Sequence, residues 1–122
     1  MKEFAENLKS HVHVERTLFI PPIKGIVSRK KFTQANKPTV QITLRKPVTR
    51  EGLLASATEN RFTPGGGTST LQLRSNRFSI IFEPKKPSEL IILHHVSSGR
   101  LTPRERERIA KFITDANRMP LF

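Results

Sequence analysis

The chain has 122 residues, with 22 Lys and Arg against 10 Asp and Glu, and a formal net charge of +12. Its length suits one basic domain over residues 1–122. It has no Cys, which excludes disulfides, thiolate zinc sites, cysteine-ligated iron–sulfur clusters and thiol catalysis.

Phe4, Ala5 and Leu8 predict a short helix over residues 2–10, or an arm over 1–12. Glu3 and Glu6, with no apolar stretch behind them, predict neither a secretory signal nor a transit peptide, so a cytoplasmic protein is expected. Val12, Val14 and Leu18 to Ile20 predict a strand ended by Pro21-Pro22, since proline removes ladder donors. Residues 23–28 read as a second short strand, with Arg29-Lys30-Lys31 in a loop or strand end. Over 39–45, Val40, Ile42 and Leu44 alternate with Gln41, Thr43 and Arg45, the period of a half-buried strand. Thr49 can cap a helix over 50–60 with Glu51 in its first turn and Leu53, Leu54 and Ala57 as its buried stripe.

Thr63 to Ser69 contains Gly65-Gly66-Gly67 and reads as a flexible loop, because glycine loses the most entropy in a regular element. Residues 70–83 predict a hairpin turning at Ser75-Asn76, with Arg74 opposite Arg77, Leu73 opposite Phe78 and Leu71 opposite Ile80. Pro84-Lys85-Lys86-Pro87 is a connecting loop. Leu90 to Val96 is apolar apart from His94-His95 and predicts a central strand buried on both faces. Its run Leu90-Ile91-Ile92-Leu93 is far short of the ~20 residues that cross a bilayer, so no membrane association is expected. Thr102-Pro103-Arg104-Glu105 is a capping box with proline at the first helical position. Ile109, Phe112, Ile113 and Ala116 continue that helix, and 118–122 form a tail. The expected fold class is α+β: an antiparallel sheet of about five strands with the C-terminal helix and one or two shorter helices packed on one face.

The charge is concentrated. Arg16, Lys24, Arg29, Lys30, Lys31, Lys37, Arg45, Lys46 and Arg50 fall in an acid-free stretch, so +9 of the +12 lies in 35 residues. A folded cationic face suits a phosphate backbone, which needs positive charge but no base specificity. Gln41, Thr43 and Arg45 on one strand, and Gln72, Arg74, Arg77 and Ser79 on the hairpin, make polar faces suited to RNA or single-stranded DNA. Phe32 and Phe62 adjoin cations and are candidate base platforms, against satellite core as the plainer reading. The arginines of the last helix alternate with glutamates, which blunts groove binding to duplexes. The glycine run lacks the Gly-Lys-Ser/Thr of a phosphate-binding Walker loop; it reads as a linker whose bare amides can also approach a phosphate.

His11 and His13 share a strand face, while His94 and His95 point to opposite faces. His11 and His13 with one of the others could ligate zinc, but without Cys the plainer reading is ordinary surface or core histidines, and no metal or cofactor is expected. Scattered acids disfavour metal-dependent nuclease chemistry, and no Ser sits in a nucleophile elbow. Metal-independent RNA cleavage needs only a general base or acid and cations, because the 2′-hydroxyl is the nucleophile. His94 or His95 with Ser97, Ser98, Arg100 and Arg104 supplies that set. From Leu93 to Arg104 the chain looks like the small basic toxin ribonucleases; no strict motif accompanies the likeness. A further alternative is a protein-interaction subunit of a ribonucleoprotein or viral assembly. It would dock on an acidic partner through Pro84-Lys85-Lys86-Pro87 and Leu121-Phe122.

Overall fold

Of the three helices among the described residues, two are fixed by their ends. In the computed structural model, which describes residues 1–21, 37–66, 69–95 and 100–118, helix α1 spans Lys2–Leu8, α2 Arg50–Asn60 and α3 Pro103–Asn117. Thr102 Oγ1 accepts from Glu105 N at 3.2 Å, and Thr102 N donates to Glu105 Oε1 at 2.8 Å, the reciprocal bonds of a capping box. Thr49 Oγ1 accepts from Gly52 N at 2.9 Å and starts α2. Arg61 ends α2 in the left-handed region at φ 62, an uncommon conformation for a residue with a Cβ.

The strands are β1 Val14–Ile20, β2 Thr39–Leu44, β3 Thr63–Gly66, β4 Leu71–Arg74, β5 Phe78–Phe82 and β6 Glu89–His94. They form one six-stranded sheet in the order β1-β2-β6-β5-β4-β3, antiparallel throughout. One of these strands, β3, is read from sequence as loop. Thr63 pairs with Arg74 and Gly66 with Leu71, so ladder hydrogen bonds outweigh the glycine entropy. Gly66 has φ +88, and a Cβ there would lie 2.4 Å from Thr70 O, so the β3–β4 turn depends on glycine.

The hairpin turns one residue later than expected. Ser75 N donates to Phe78 O, and Arg74 faces Ser79, Leu73 faces Ile80 and Leu71 faces Phe82. Moving the turn centre by one residue moves every partner by two, so each side chain keeps its face. Arg74 and Arg77 are therefore not a like-charge pair. The expected strand over 23–28, the Arg29–Lys31 cluster, Phe32, residues 96–99 and the end of the tail lie outside the described residues.

All three helices pack on one side of the sheet. Val40, Ile42, Leu44, Phe78, Ile80, Phe82, Leu90 and Ile92 meet Phe4 and Leu8 of α1, Leu53 and Ala57 of α2, and Ile109, Phe112 and Ile113 of α3 in one core. Strand β6 is internal as expected, but fully buried on its helix side only; Ile91 and Leu93 on the other face are half-buried.

Phe62 belongs to the core and is not a base platform. It makes edge-to-face contacts with Phe78 at 5.7 Å and Phe112 at 5.4 Å, and the Arg108 guanidinium lies 4.6 Å from its ring centre. Arg108 also donates to the Asn60 and Arg61 carbonyls and to Ser75 Oγ, joining the end of α2 to the β4–β5 turn. Phe62→Ala is expected to cost about 3–5 kcal/mol in urea unfolding, as for large-to-small changes in a closed core. An exposed base platform would lose nucleic-acid affinity while keeping the unfolding midpoint.

Candidate nucleic-acid interface

The face turned away from the helices takes its composition from the alternation of β2, β4, β5 and β6, and from one irregularity in β1. Val14 pairs with Leu44, but Arg16 pairs with Thr43, so Glu15 is the extra residue of a bulge. Without it, period two would send Arg16 and Leu18 to the core side together with Val14. With it, Arg16, Leu18 and Ile20 face away from the helices, while Thr17 hydroxyl donates to Ala5 O of α1 at 2.8 Å.

Cross-strand pairing then orders this face in rows. Arg16, Thr43 and Glu89 are neighbours on β1, β2 and β6. The next row runs Leu18, Gln41, Ile91, Ile81, Gln72 and Gly65, and the third Ile20, Thr39, Leu93, Ser79, Arg74 and Thr63. Leu18 is 57% exposed, whereas Ile81 and Ser79 are buried. Gln41 Nε2 donates to Glu89 Oε1 at 2.9 Å, and Arg16 Nε donates to Thr43 Oγ1 at 3.4 Å. Gln41, Thr43, Gln72 and Arg74 thus stand on one face of the sheet, with Ser79 on the same face but buried.

A second group gathers where the third row meets the strand ends. His95 Nε2 lies 2.7 Å from Ser79 Oγ, and the ring also hydrogen-bonds the main chain of Asn76. Burial, then the charges of Arg74 and Lys37, hold its pKa below the ordinary histidine value of 6.5, against the Asn76 bond, which raises it. Sequence reasoning offered Ser98 beside the histidines. Ser79 is the hydroxyl that reaches His95, and the pairing of Ser79 with Leu93 is the signal that locates it.

The remaining candidates scatter. His94 faces the helices, opposite Phe78, and is fully buried. Arg77 donates to Arg100 O at 2.9 Å and lies 3.5 Å from Glu105 Oε1, so its charge is shared with α3. Arg100 is exposed before α3, and Arg104 is exposed in its first turn. Arg45 and Lys46 follow the far end of β2 from Lys37, separated by about 20 Å of strand. Arg50 opens α2. Of the described cations of that stretch, Lys37 and the pair Arg45 and Lys46 are carried by β2 to its opposite ends. Lys24, Arg29, Lys30, Lys31, Ser97 and Ser98 lie outside the described residues.

His11 and His13 lie beside Lys46 with ring centres 5.7 Å apart and ring planes tilted by 44°. His11 Nδ1 accepts from His13 N, and its Nε2 meets Ala110 O and Thr114 Oγ1 of α3, each bond 3.1 Å. Burial, His11 and Lys46 lower the pKa of His13. Among the described residues no group of three or more His, Cys, Asp or Glu is placed to hold a metal ion. No family model matches the chain, and no curated protein or solved structure matches it.

The two lowered histidines give stability a direction with pH. Below 6.5 the unfolded chain binds protons that folded His13 and His95 resist, so stability is complete above 6.5 and falls as pH drops below it. The urea midpoint is expected to decline from pH 6.5 to 5, and His13→Gln with His95→Gln is expected to flatten that decline. NMR titration of the His95 ring should give a midpoint below 6.5; one above it would contradict the described environment.

Proposed function

We propose that the protein binds single-stranded nucleic acid, RNA or single-stranded DNA, on the sheet face turned away from its helices. The observation that carries this reading is the composition of that face. Arg16 and Arg74 are exposed on it, Lys37 lies at its margin, and Gln41, Thr43 and Gln72 stand between them as hydrogen-bonding groups. The cations suit phosphates, and the exposed Leu18 with half-buried Ile20, Ile91 and Leu93 gives apolar surface for bases to pack on. The net charge of +12 supplies long-range attraction to any polyanion.

Affinity for a labelled single-stranded RNA should fall with salt, with a log–log slope of about −0.7 per phosphate contacted. Lys37→Ala and Arg74→Ala together should reduce the steepness of that slope by about 1.4. A salt-independent affinity, or a double variant with an unchanged slope, would refute the reading.

His95 supports a second reading, metal-independent RNA cleavage. A neutral imidazole beside Arg74 and Lys37 can take the proton of a 2′-hydroxyl, whose oxygen attacks phosphorus as the P–O5′ bond breaks, leaving a 2′,3′-cyclic phosphate and a 5′-hydroxyl protonated from water, while the cations stabilise the phosphorane. Cleavage in excess chelator that is lost in His95→Asn is the expected result; an intact substrate removes the reading and leaves binding untouched.

A further inference from the structure

Arg16, Gln41, Thr43 and Glu89 line a pocket of about 260 Å³ on the open face, bordered by Thr17 and Leu18. A surface that only held phosphates would gain nothing from a carboxylate in its midst, since Glu89 repels the same anions that Arg16 attracts. Yet Glu89 is held in place. Its Oε1 accepts from Gln41 at 2.9 Å, and its other oxygen lies 3.9 Å from Lys86 Nζ. Arg16 is aimed into the same pocket by the bulge at Glu15 and steadied by Thr43.

We infer that this pocket receives one guanine base of a bound strand, a deepening that rests on the nucleic-acid reading above. The chemistry selects the base. Guanine presents N1–H and N2–H side by side, a pair of donors matched to one carboxylate. It also presents O6 and N7 as adjacent acceptors, which an arginine engages bidentately. Cytosine, adenine and uracil each offer a carboxylate only a single donor on the corresponding edge. Arg16 and Glu89 stand on strands separated by β2 alone, about 10 Å apart at the backbone with Thr43 in the row between them, and the pocket that they line holds about 260 Å³. Gln41 occupies one lone pair of Oε1, and each carboxylate oxygen can accept again. The Nε bond to Thr43 leaves the terminal nitrogens of Arg16 as donors. Leu18, 57% exposed, supplies an apolar surface at the pocket's rim.

The test uses fluorescence anisotropy with uridine decamers carrying one central guanosine, adenosine, cytidine or inosine, on the full chain. The guanosine strand is expected to bind about tenfold more tightly than the all-uridine strand. Inosine lacks the N2 amine and should lose most of that gain. Glu89→Gln should abolish the preference for guanosine over the other strands. A folded-state check by circular dichroism accompanies it, and Glu89→Asp provides a second variant that keeps the charge but shortens the reach. Equal binding of all strands overturns the guanine pocket and leaves the binding reading standing. A preference that survives Glu89→Gln overturns the assignment to this pocket. Failure of every strand to bind overturns both.

Discussion

Strand β6 has a hydrogen-bonded neighbour on each side, β2 and β5, and its side chains alternate without interruption between the two faces of the sheet. Leu90 and Ile92 point into the core with no exposed surface, while Glu89, Ile91 and Leu93 point the other way. A slip of one residue in either pairing would exchange the two sets. Each large aliphatic side chain moved to water would forfeit about 1.5–3 kcal/mol, and Glu89 would enter the core as a charge far from water. The registers of β2 and β5 are therefore locked through β6. With them are locked both the bed on which the helices lie and the row positions of every polar group on the opposite face.

The bulge at Glu15 is where that rule is deliberately broken. Val14 remains fully buried against the core, and two residues later Arg16 lies on the open face. A regular strand cannot do both, since residues two apart share a face. One inserted residue lets β1 contribute Val14, Thr17 and Phe19 to the helix side and Arg16, Leu18 and Ile20 to the other. The same device makes Thr17 available to α1, whose Ala5 carbonyl accepts its hydroxyl. Packing of the first helix and aiming of the first arginine thus share one cause.

How legible these features were in the sequence depends on how local their causes are. The capping box of α3 is complete within Thr102 to Glu105, and the alternation of β2 within Val40 to Leu44, so both could be read directly. The hairpin faces were legible because parity survives a turn at either Ser75-Asn76 or Asn76-Arg77; the turn itself was not, for the same reason. Strand β3 was invisible, as Thr63-Pro64-Gly65-Gly66 has no apolar alternation and exists through its ladder with β4. The place of Phe62 depends on α2 ending at a left-handed Arg61 and on Arg108, 46 residues further on, closing over the ring. Arg16 and Glu89 are brought together by two strand pairings and a bulge, none of which leaves a mark near either residue.

Among the described residues, cations of the acid-free stretch divide between the two ends of β2. Arg45 and Lys46 lie at one end of β2 and Lys37 at the other, about 20 Å apart. That is roughly twice the screening length of ~8–10 Å at physiological salt, so exposed charges at the two ends act independently on a partner. Lys37 acts instead with Arg74 on His95, across strands, and Lys46 acts on His13. The total charge governs attraction at a distance, where the separate groups blur into one. Close contact is governed by a few positions in fixed rows, where Arg16 is balanced by Glu89 across β2. A polyanion drawn in by the first effect meets, at the second, a surface with an acceptor as well as donors. For a strand bound as proposed, the identity of the base then matters alongside the charge of the backbone.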